Sequence, residues 1–400
     1  MNQCVILVGG KGSRLGEITK NFPKPMINIK DKPFLLYLIE KIRIFGFKEI
    51  ILLAGHSAEI VDSYFKNNSL SDISIKIIKE KKPLGTGGAL VNAYKHLDDN
   101  FFLMNGDSII DGNWFSIVEN FNTDIDISVA LIKKNDCSRY GSVTLVGKKV
   151  VNFSEKNKEI SEGFINGGIY CVRKNILSNI PLKKFSFEED ILTKLAKKGR
   201  ISGSEIKGYF IDIGTPESLN HANKLPWLKE AKAVVFDRDG TLNVDNGYTH
   251  KVSDLVWNPG AISLIRYLND SNVLVFVATN QAGIAKDIFK EKDMHHFHAE
   301  MQKQLRKNGA HIDEFFYCPY HIDGSIPKYS IESENRKPKT GMLQEISVKW
   351  KIKKDNMLLI GDRDTDIKCA DNFNISSIKY NGLENLLNIK DNISRKLILE

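Results

Sequence analysis

The sequence predicts an α/β protein with two domains, each of which carries its own candidate site. Short apolar runs rich in β-branched residues recur along the chain and end in glycine or carboxylate clusters. That pattern is typical of buried parallel strands whose carboxyl ends bind ligands. Two such series follow one another, and 400 residues exceed what a single core usually serves. A hydrophobic content of 42% supports ordinary globular packing of both.

The first apolar run, CVILVGG, leads directly into a glycine-rich turn at the start of the chain. Gly9, Gly10 and Gly12 have no side chains, so backbone N–H groups there are able to approach a phosphate chain, and the following helix adds its positive end. Arg14 and Lys24 add full positive charges. By itself, such a turn is equally compatible with a dinucleotide fingerprint or a bare strand-to-helix turn.

Later segments of the first half end in the same kinds of residue. EKKPLGTGGAL places Gly85, Thr86 and Gly87 at the start of a helix, FFLMNGDS ends at Asp107, and YFIDIGTPESL ends a last strand at Asp212. A carboxylate at the end of a buried strand is costly unless it is paired. We therefore expect Asp107 and Asp212 to have a metal or a cationic side chain as partner.

Together these segments resemble sugar-1-phosphate nucleotidyltransferases, which implies a Rossmann-like domain with a mixed, mainly parallel sheet. The resemblance assigns nucleotide binding to the two glycine segments, and assigns the triphosphate and the departing pyrophosphate to Arg14 and Lys24. It assigns magnesium to Asp107 and Asp212. It also assigns sugar-phosphate binding to Glu155, Lys156, Asn166 and Gly167. For these four, an exposed ion pair and a hairpin turn are open alternatives.

In the second half, AVVFDRDGTLN places Asp237 and Asp239 one residue apart after an apolar run. With Mg²⁺ between them, the first carboxylate, Asp237, is able to attack phosphorus while the second, Asp239, protonates the leaving oxygen and later activates water. NVLVFVATNQAGIA ends a second run at Thr279 and Asn280, and MLLIGDRDTD ends a third at Asp362. Hydroxyl and amide groups suit phosphoryl oxygens, and carboxylates suit a hard cation.

RKPKTGM adds Arg336 and Lys337 on a loop before the third run, where Lys337 would neutralise charge on a transferred phosphoryl group. The whole set resembles haloacid-dehalogenase phosphatases, in particular the branch with heptose-bisphosphate and histidinol-phosphate phosphatases. The resemblance implies a Rossmann-like domain with little or no cap, with Asp237, Asp239 and Asp362 at magnesium. It assigns phosphate binding to Thr279, Asn280, Arg336 and Lys337.

The two resemblances cover nearly the whole chain, as domains at residues 1–225 and 231–390. They imply a bifunctional enzyme that removes the C7 phosphate of D-glycero-D-manno-heptose 1,7-bisphosphate and transfers a nucleotidyl group, with GTP favoured, to heptose 1-phosphate. The products would be GDP-heptose and pyrophosphate, for surface-polysaccharide precursors. One alternative pairs mannose 1-phosphate with another phosphate ester such as histidinol phosphate. Another is a first domain that binds nucleotide-sugar without catalysis.

Composition narrows the range of partners. The formal charge is +8, but the lysines are dispersed and not interleaved with aromatic residues, so we expect sugar phosphates and a nucleoside triphosphate and no nucleic acid. No secretory leader is visible and no apolar run approaches roughly 20 residues, which favours a cytoplasmic protein without membrane contact. Five scattered cysteines fit a reducing compartment. A homo-oligomer is compatible with the sequence.

Cys318 begins CPYHIDG, which resembles the start of a zinc loop in the same phosphatase branch. In that branch a Cys-x-His pair is followed, just before Arg-Lys-Pro, by a Cys-x-Cys pair. Here His321 is displaced by one position, and Ser333 and Asn335 stand where the later cysteines would be. Tetrahedral structural zinc needs four ligands, so we expect no structural zinc, and magnesium in both domains.

Overall fold

The computed structural model describes residues 2–10, 15–16, 19, 22–68, 70, 73–154, 162–224, 231–382 and 384–397. The chain divides into two compact units, Met1–Leu225 and Pro226–Glu400. Four of the predicted site residues, Gly12, Arg14, Glu155 and Lys156, lie outside the described residues, as does the segment 226–230 between the two predicted domains.

The first unit contains one large sheet and two small ones. Its strands are β1 Gln3–Leu7, β2 Asn28–Ile29, β3 Lys32–Pro33, β4 Glu49–Ala54, β5 Ser74–Lys79, β6 Asn100–Asn105, β7 Ser108–Asp111, β8 Ile127–Lys134, β9 Val143–Val146, β10 Lys149–Phe153, β11 Gly163–Arg173, β12 Ile201–Glu205 and β13 Tyr209–Asp212. Its helices are α1 Phe34–Ile44, α2 Ala58–Asn67, α3 Gly85–Asn92, α4 Thr193–Lys197 and α5 Pro216–Lys224, with a π-helical turn at Glu188–Leu192 before α4.

The large sheet is mixed, with the nine-stranded order β5-β4-β1-β6-β11-β8-β12-β10-β9. Strands β5, β4, β1 and β6 are parallel, as are β8 and β12. The expectation of a mainly parallel sheet is wrong, because antiparallel pairs are at least as frequent as parallel ones. Strand β11 runs antiparallel to both β6 and β8, and β10 runs antiparallel to β12 and β9. The parallel half places the ends of β1 and β6 at one edge, where the predicted nucleotide turn and Asp107 follow.

The core of this unit comes from strands that are apolar on both faces. Strand β1 is buried along most of its length, as are β6 and β8, so helices cover both sides of the sheet. Helix α1 buries Phe34, Leu35, Leu38, Ile39 and Ile42 at the spacing of an amphipathic helix. The turn and the carboxylates that follow these strands are therefore held at a rigid edge.

The second unit is built on one parallel sheet. Its strands are β14 Lys232–Phe236, β15 Val273–Asn280, β16 Glu314–Cys318, β17 Met357–Gly361 and β18 Ser376–Lys379. Its helices are α6 Ala261–Asp270, α7 Ala282–Ala285, α8 Glu291–Lys307, α9 Gly341–Trp350, α10 Asp364–Phe373 and α11 Lys390–Leu397.

The strand order of this sheet is β16-β15-β14-β17-β18, and every neighbouring pair is parallel. Two apolar clusters pack on its opposite faces, one around Phe236, Leu264 and Phe297 and the other around Phe276 and Leu343. Because the chain leaves β14 on one side for β15 and later returns on the other for β17, a crevice opens outside the carboxyl end of β14. Residue 237 is the first residue after that strand.

No helix among the described residues has both the length and the apolar content needed to cross a membrane.

Candidate active sites

The first site is a cavity of about 200 Å³ in the first unit that contains both predicted carboxylates, Asp107 and Asp212. Strand β13 pairs with β7 so that Asp212 lies opposite Ser108, and the Ile213 N–H donates to the Asp107 carbonyl at 3.0 Å. This small antiparallel sheet brings together two carboxylates that are about a hundred residues apart in sequence. Their oxygens suit a hard divalent cation, so the donor set fits magnesium.

Lys24 lies in the same cavity and forms an ion pair with Asp107. It begins a short 3₁₀ turn, Lys24–Met26, and is 8% exposed. Its Nζ is 2.6 Å from Asp107 Oδ2. Gly106 allows this turn to pack closely, since a Cβ there would lie 2.6 Å from the Leu7 carbonyl oxygen and 3.0 Å from Pro25. The cationic partner expected for Asp107 is therefore Lys24 in this structure.

Asp212 is held by three donors. The Gly214 N–H donates to Oδ1 at 2.5 Å, and Oδ2 accepts from the Tyr140 hydroxyl at 3.0 Å and lies 3.5 Å from an Arg139 nitrogen. Burial raises the pKa of Tyr140 to about 12, and the negative charge of Asp212 adds to the shift, so the phenol is a donor at neutral pH. Only glycine fits at 214, because a Cβ there would lie 2.4 Å from Asp212 Oδ1.

Several residues of this cavity were not found by sequence reasoning. Arg139 and Tyr140 lie on the loop after β8, and Phe210 and Thr215 flank Asp212. Arg139 and Tyr140 belong to an ordinary polar loop, and nothing in the sequence around them indicates that they contact Asp212. The other lining residues that the sequence did not single out are Asn105, Ser108 and Gly214.

The glycine turn after β1 faces a carboxylate that the sequence did not single out. A Cβ at Gly9 would lie 3.2 Å from the Gly55 nitrogen and 3.5 Å from Glu80 Oε1, whereas Gly10 has open space around it. Glu80 Oε2 accepts from the Leu84 N–H at 2.9 Å, and burial raises the pKa of this carboxyl. Oε1 lies on the side of Gly9, and among the described residues it has no hydrogen-bond donor.

The GTGG segment has a packing role. A Cβ at Gly85 would lie 2.5 Å from the Phe185 carbonyl oxygen, and one at Gly87 would lie 2.1 Å from the Phe185 ring. The Thr86 hydroxyl donates to Glu188 at 2.7 Å and accepts from the Phe187 N–H at 2.8 Å. These contacts explain the small residues at this helix start, and their contact with nucleotide stays a prediction.

Asn166 and Gly167 lie inside strand β11, so the hairpin-turn alternative is wrong. Asn166 lines the cavity, and its side chain donates to the Tyr170 hydroxyl at 2.7 Å and accepts from the Gly168 N–H at 3.0 Å. The β11–β8 register shifts between Asn166 and Tyr170, and this bulge turns the amide toward the pocket. Gly167 packs against Ile110 and is not among the residues lining the cavity.

The second site lies at the carboxyl ends of β14 and β17, where three carboxylates converge. One oxygen from each of Asp237, Asp362 and Asp366 lies within 4.8 Å of the others, which is suitable for a metal ion. Lys337 Nζ is 2.9 Å from Asp237 Oδ1 and 2.6 Å from Asp366 Oδ1. The Thr241 hydroxyl donates to Asp362 at 2.9 Å. These oxygen ligands fit magnesium.

Burial and charge oppose one another in this cluster. Burial raises the pKa of Asp237, while the positive charge of Lys337 works against that shift. Burial by itself lowers the pKa of Lys337, but the charges of Asp237 and Asp366 outweigh it and the net pKa is raised. The lysine therefore stays charged next to the carboxylate that the sequence identifies as the nucleophile.

The side chain of Asp239 is not a member of this carboxylate cluster and pairs with Arg238. The guanidinium donates from Nε to Oδ1 at 3.0 Å and from a terminal nitrogen to Oδ2 at 2.7 Å. Asp239 also accepts from Asn243 at 3.0 Å and from Gln281 at 2.9 Å. Sequence reasoning placed Asp239 at the metal, whereas in this structure the third side chain of the oxygen cluster is Asp366.

Arg238 is fully buried and makes hydrogen bonds on several sides. Beyond Asp239, it donates to the Thr249 carbonyl at 2.6 Å and to His298 Nε2 at 3.0 Å, and it lies over the Phe297 ring at 4.7 Å. Burial holds the pKa of His298 well below its usual value, and the charge of Arg238 adds to this shift, so the imidazole is neutral and accepts. Sequence reasoning missed both residues.

The predicted phosphate-binding residues meet around the Lys337 loop. Asn280 accepts from the Lys337 N–H and donates to the Lys337 carbonyl, both at 3.0 Å. The Thr279 hydroxyl is buried and accepts from Gln281 at 2.8 Å. Asn280 thus fixes the loop that carries the lysine.

Arg336 belongs to a rim of positive charge around this site. Burial lowers the pKa of Arg336, and the nearby charge of Arg363 lowers it further. Lys286 donates to the Tyr248 hydroxyl at 2.9 Å, and Arg363 pairs with Asp245 at 2.7 Å. Within the described parts of the chain, no carboxylate lies within ion-pair distance of Lys286 or Arg336. The rim therefore has excess positive charge.

The loop that begins at Cys318 does not fit a structural zinc. The buried thiol lies 3.9 Å from the Tyr320 carbonyl oxygen, and His321 Nδ1 accepts from the Asp323 N–H at 3.1 Å. In the described residues, neither side chain belongs to a group of three or more ligands that a metal could share.

Comparison with known proteins yields relatives for each unit. The nucleotidyl transferase family model matches residues 3–226, and a HAD-hydrolase-like model matches residues 334–382. D-glycero-alpha-D-manno-heptose 1-phosphate guanylyltransferase of Campylobacter jejuni is 40% identical over 220 residues, which is 55% of this chain and 97% of that protein. D-glycero-beta-D-manno-heptose-1,7-bisphosphate 7-phosphatase of Rhodopseudomonas palustris is 34% identical over 150 residues, which is 38% of this chain and 83% of that protein.

A solved structure is also similar to the first unit. The crystal structure of HddC from Yersinia pseudotuberculosis complexed with GMP-PN matches with a TM-score of 0.50 and 35% identity. The match covers 56% of this chain and 99% of that chain.

Replacing Arg238 by Met should destabilise the second unit, because it leaves the Asp239 carboxylate without its buried counter-ion. Breaking such a pair costs about 3–5 kcal/mol. At roughly 2–4 °C per kcal/mol for a unit of this size, one calorimetric transition should fall by about 6–20 °C. Lys379→Met is the matched control, since it removes an exposed pair with Asp364. Equal melting temperatures for the two variants would contradict this account of Arg238.

Proposed function

The chain belongs to the nucleotidyl transferase family over residues 3–226 and to the HAD phosphatases in its second unit, and from this we propose that it converts a heptose 1,7-bisphosphate into GDP-heptose. One observation carries the proposal. A relative of the second unit removes the 7-phosphate of heptose 1,7-bisphosphate, and a relative of the first unit is a heptose 1-phosphate guanylyltransferase. The product of the first reaction is thus the kind of substrate that the second requires.

For the phosphatase step, we propose that an Asp237 oxygen attacks the C7 phosphorus while the bond from phosphorus to the sugar oxygen breaks. Asp239 protonates that oxygen, and an aspartyl phosphate remains. Asp239 then takes a proton from the water that hydrolyses this ester. Lys337 and Thr279 bind the phosphoryl oxygens. Magnesium, held by Asp237 and carboxylates beside it, would supply charge neutralisation at the transferred group.

The positive rim supports a substrate with a second anionic group. Lys286, Arg336 and Arg363 would attract a distal phosphate and repel histidinol phosphate, whose amino group is cationic. The segment between β14 and α6 is short and contains Tyr248 on this rim, which is consistent with specificity from loops and with little or no cap. The bisphosphate is therefore favoured over the histidinol phosphate alternative.

For the transferase step, we propose that the anomeric phosphate attacks the α-phosphorus of GTP and that pyrophosphate leaves with the electrons of the broken bond. Lys24 would offset charge on pyrophosphate, and Asn166 would contact the sugar. Asp107 and Asp212 would hold magnesium, which supplies charge neutralisation at the reacting phosphates. From the resemblance, we propose the same nucleotide and sugar-phosphate roles for Gly9, Gly10, Gly12, Arg14, Glu155, Lys156 and Gly167.

The position of the Glu80 carboxylate supports guanine as the base. Guanine presents two donors on one edge, N1–H and the N2 amine, and a carboxylate accepts from both. Adenine and cytosine present a ring nitrogen acceptor on that edge, which a carboxylate repels. The position of Oε1 beside Gly9 places this acceptor next to the predicted nucleotide turn.

We further propose domain limits at 1–225 and 231–390 and a cytoplasmic setting. The compact units, divided at residues 225 and 226, support the limits. All five cysteines are buried free thiols, which supports a reducing compartment.

Incubation of the full chain with magnesium, the α or β anomer of heptose 1,7-bisphosphate and each nucleoside triphosphate in turn tests the whole proposal. We expect phosphate, then pyrophosphate and GDP-heptose, by mass spectrometry. The names of the two relatives specify opposite anomers, so both must be supplied. Phosphate release without any nucleotide-sugar would refute the transferase half, and faster hydrolysis of histidinol phosphate would refute the phosphatase half.

Single substitutions should separate the two activities. Asp237→Asn removes the nucleophile, so phosphate release should fall at least about 10³-fold while transfer from supplied heptose 1-phosphate is unchanged. Lys24→Ala should do the reverse, because only the first site loses a cation. Steady-state rates of phosphate and pyrophosphate release measure both. Joint loss in a folded variant would argue against independent sites.

Glu80→Gln should relax base selection. An amide accepts one donor from guanine and opposes the other with its own N–H, so the GTP preference over ATP and UTP should fall roughly tenfold to a hundredfold. Ratios of kcat/KM for the three nucleotides measure this. Glu59→Gln, on the exposed face of α2, is the control. An unchanged ratio in Glu80→Gln would remove Glu80 from base recognition.

A further inference from the structure

The cavity of the first unit contains two ion pairs. Lys24 Nζ is 2.6 Å from Asp107 Oδ2, and a terminal nitrogen of Arg139 is 3.5 Å from Asp212 Oδ2. The Arg139 pair is the looser one, and the same guanidinium nitrogen also donates to the Thr215 hydroxyl at 3.2 Å. The Arg139 side chain is 43% exposed, whereas that of Asp212 is 15% exposed. The Arg139 side chain is therefore accessible to a ligand in the cavity.

The carboxylate that holds Arg139 is one that a divalent cation would use. Asp212 Oδ1 is occupied by the Gly214 N–H, and Oδ2 is shared by Tyr140 and Arg139. A cation on Asp212 would repel Arg139 and remove its acidic partner. An arginine released in this way presents a planar pair of donors that matches phosphate geometry.

The neighbours of Arg139 indicate which phosphate it would meet. Its guanidinium lies 5.4 Å from the Tyr140 ring centroid, and Tyr140 packs edge-on against Phe210. These residues line one cavity together with Asn166, the predicted sugar contact. Gly9 and Glu80, at the predicted nucleotide turn, are not among the residues that line it. Arg139 thus shares a cavity with the predicted sugar contact, Asn166, and with the proposed metal ligands Asp107 and Asp212.

We propose that Arg139 binds the phosphate of the sugar 1-phosphate and that Asp212 holds it ready until a divalent cation takes that carboxylate. This inference rests on the proposed transferase function. In the reaction, an oxygen of this phosphate forms the new bond to the α-phosphorus, and pyrophosphate leaves with the electrons of the broken bond. Arg139 orients the attacking phosphate and lowers its repulsion against the triphosphate, and it exchanges no proton.

The first test compares KM values for two substrates in Arg139→Ala. We expect KM for heptose 1-phosphate to rise about tenfold or more and KM for GTP to stay within twofold, with partial rescue in Arg139→Lys because the charge returns without the fork. Arg200→Ala is the matched control, since Arg200 forms a similar half-exposed pair with Asp126. A KM for heptose 1-phosphate that does not change in folded Arg139→Ala overturns the proposal.

The second test measures Mn²⁺ binding without substrates, by electron paramagnetic resonance. An Asp362→Asn background weakens the metal cluster of the second unit in all samples. Removing the competing cation in Arg139→Ala should tighten Mn²⁺ binding roughly threefold to tenfold, whereas Arg200→Ala should leave it unchanged. Equal or weaker binding in Arg139→Ala would overturn the pairing with Asp212. A substitution that merely loosened the fold would not tighten metal binding.

The two tests also separate this inference from the proposed function. If the wild-type chain makes no nucleotide-sugar, the transferase proposal fails. Calorimetric binding of inorganic phosphate in the presence of Mn²⁺, again in the Asp362→Asn background because the second unit also has a proposed phosphate site, then decides the role of Arg139. Loss of that binding in Arg139→Ala supports the phosphate contact, and equal binding in the two proteins refutes it.

Discussion

The need to balance negative charge at the ends of parallel strands organises both candidate sites. In the second unit, Lys337 bridges Asp237 and Asp366 from a loop that Asn280 fixes. In the first unit, Lys24 reaches Asp107 from a short turn. Without Lys337, the buried carboxylates of Asp237 and Asp366 would carry a large desolvation cost. The Asp107 side chain, by contrast, is 39% exposed and depends less on Lys24. The loops that carry the lysines are therefore as important to the architecture as the strands.

A second shared property is that the cations lie where substrate phosphate or metal would later be. Lys337 contacts the carboxylate of the proposed nucleophile, and Lys24 contacts a proposed metal ligand. On the proposed roles, the positive charge that pairs with these carboxylates would also contact substrate phosphate. Arg238 differs, because it is fully buried and its two bonds to Asp239 position that carboxylate.

The parts of each site that sequence reasoning found are those that follow an apolar strand directly. Asp107, Asp237 and Asp362 are of this kind. A run of apolar residues identifies the buried strand, and the polar residue that follows the run then lies at the edge of the sheet. Arg139 was missed because it lies on the loop after β8. Glu80 was missed although it directly follows β5, because that strand is partly exposed along its length and is not a buried apolar run. Asp239 shows a different limit. Its position was evident, but its rotamer depends on Arg238, Asn243 and Gln281.

The sequence by itself determined two α/β units, the order of their strands along the chain, the carboxylates and lysines at strand ends, and the resemblance to two enzyme families. These features are local, so spacing and residue type are enough to reveal them. Only the tertiary structure decided that Asp212 comes to lie beside Asp107, that Asp366 joins the second cluster, and that β11 makes the first sheet mixed. Each of these depends on contacts between segments far apart in the chain, whose geometry no local pattern encodes.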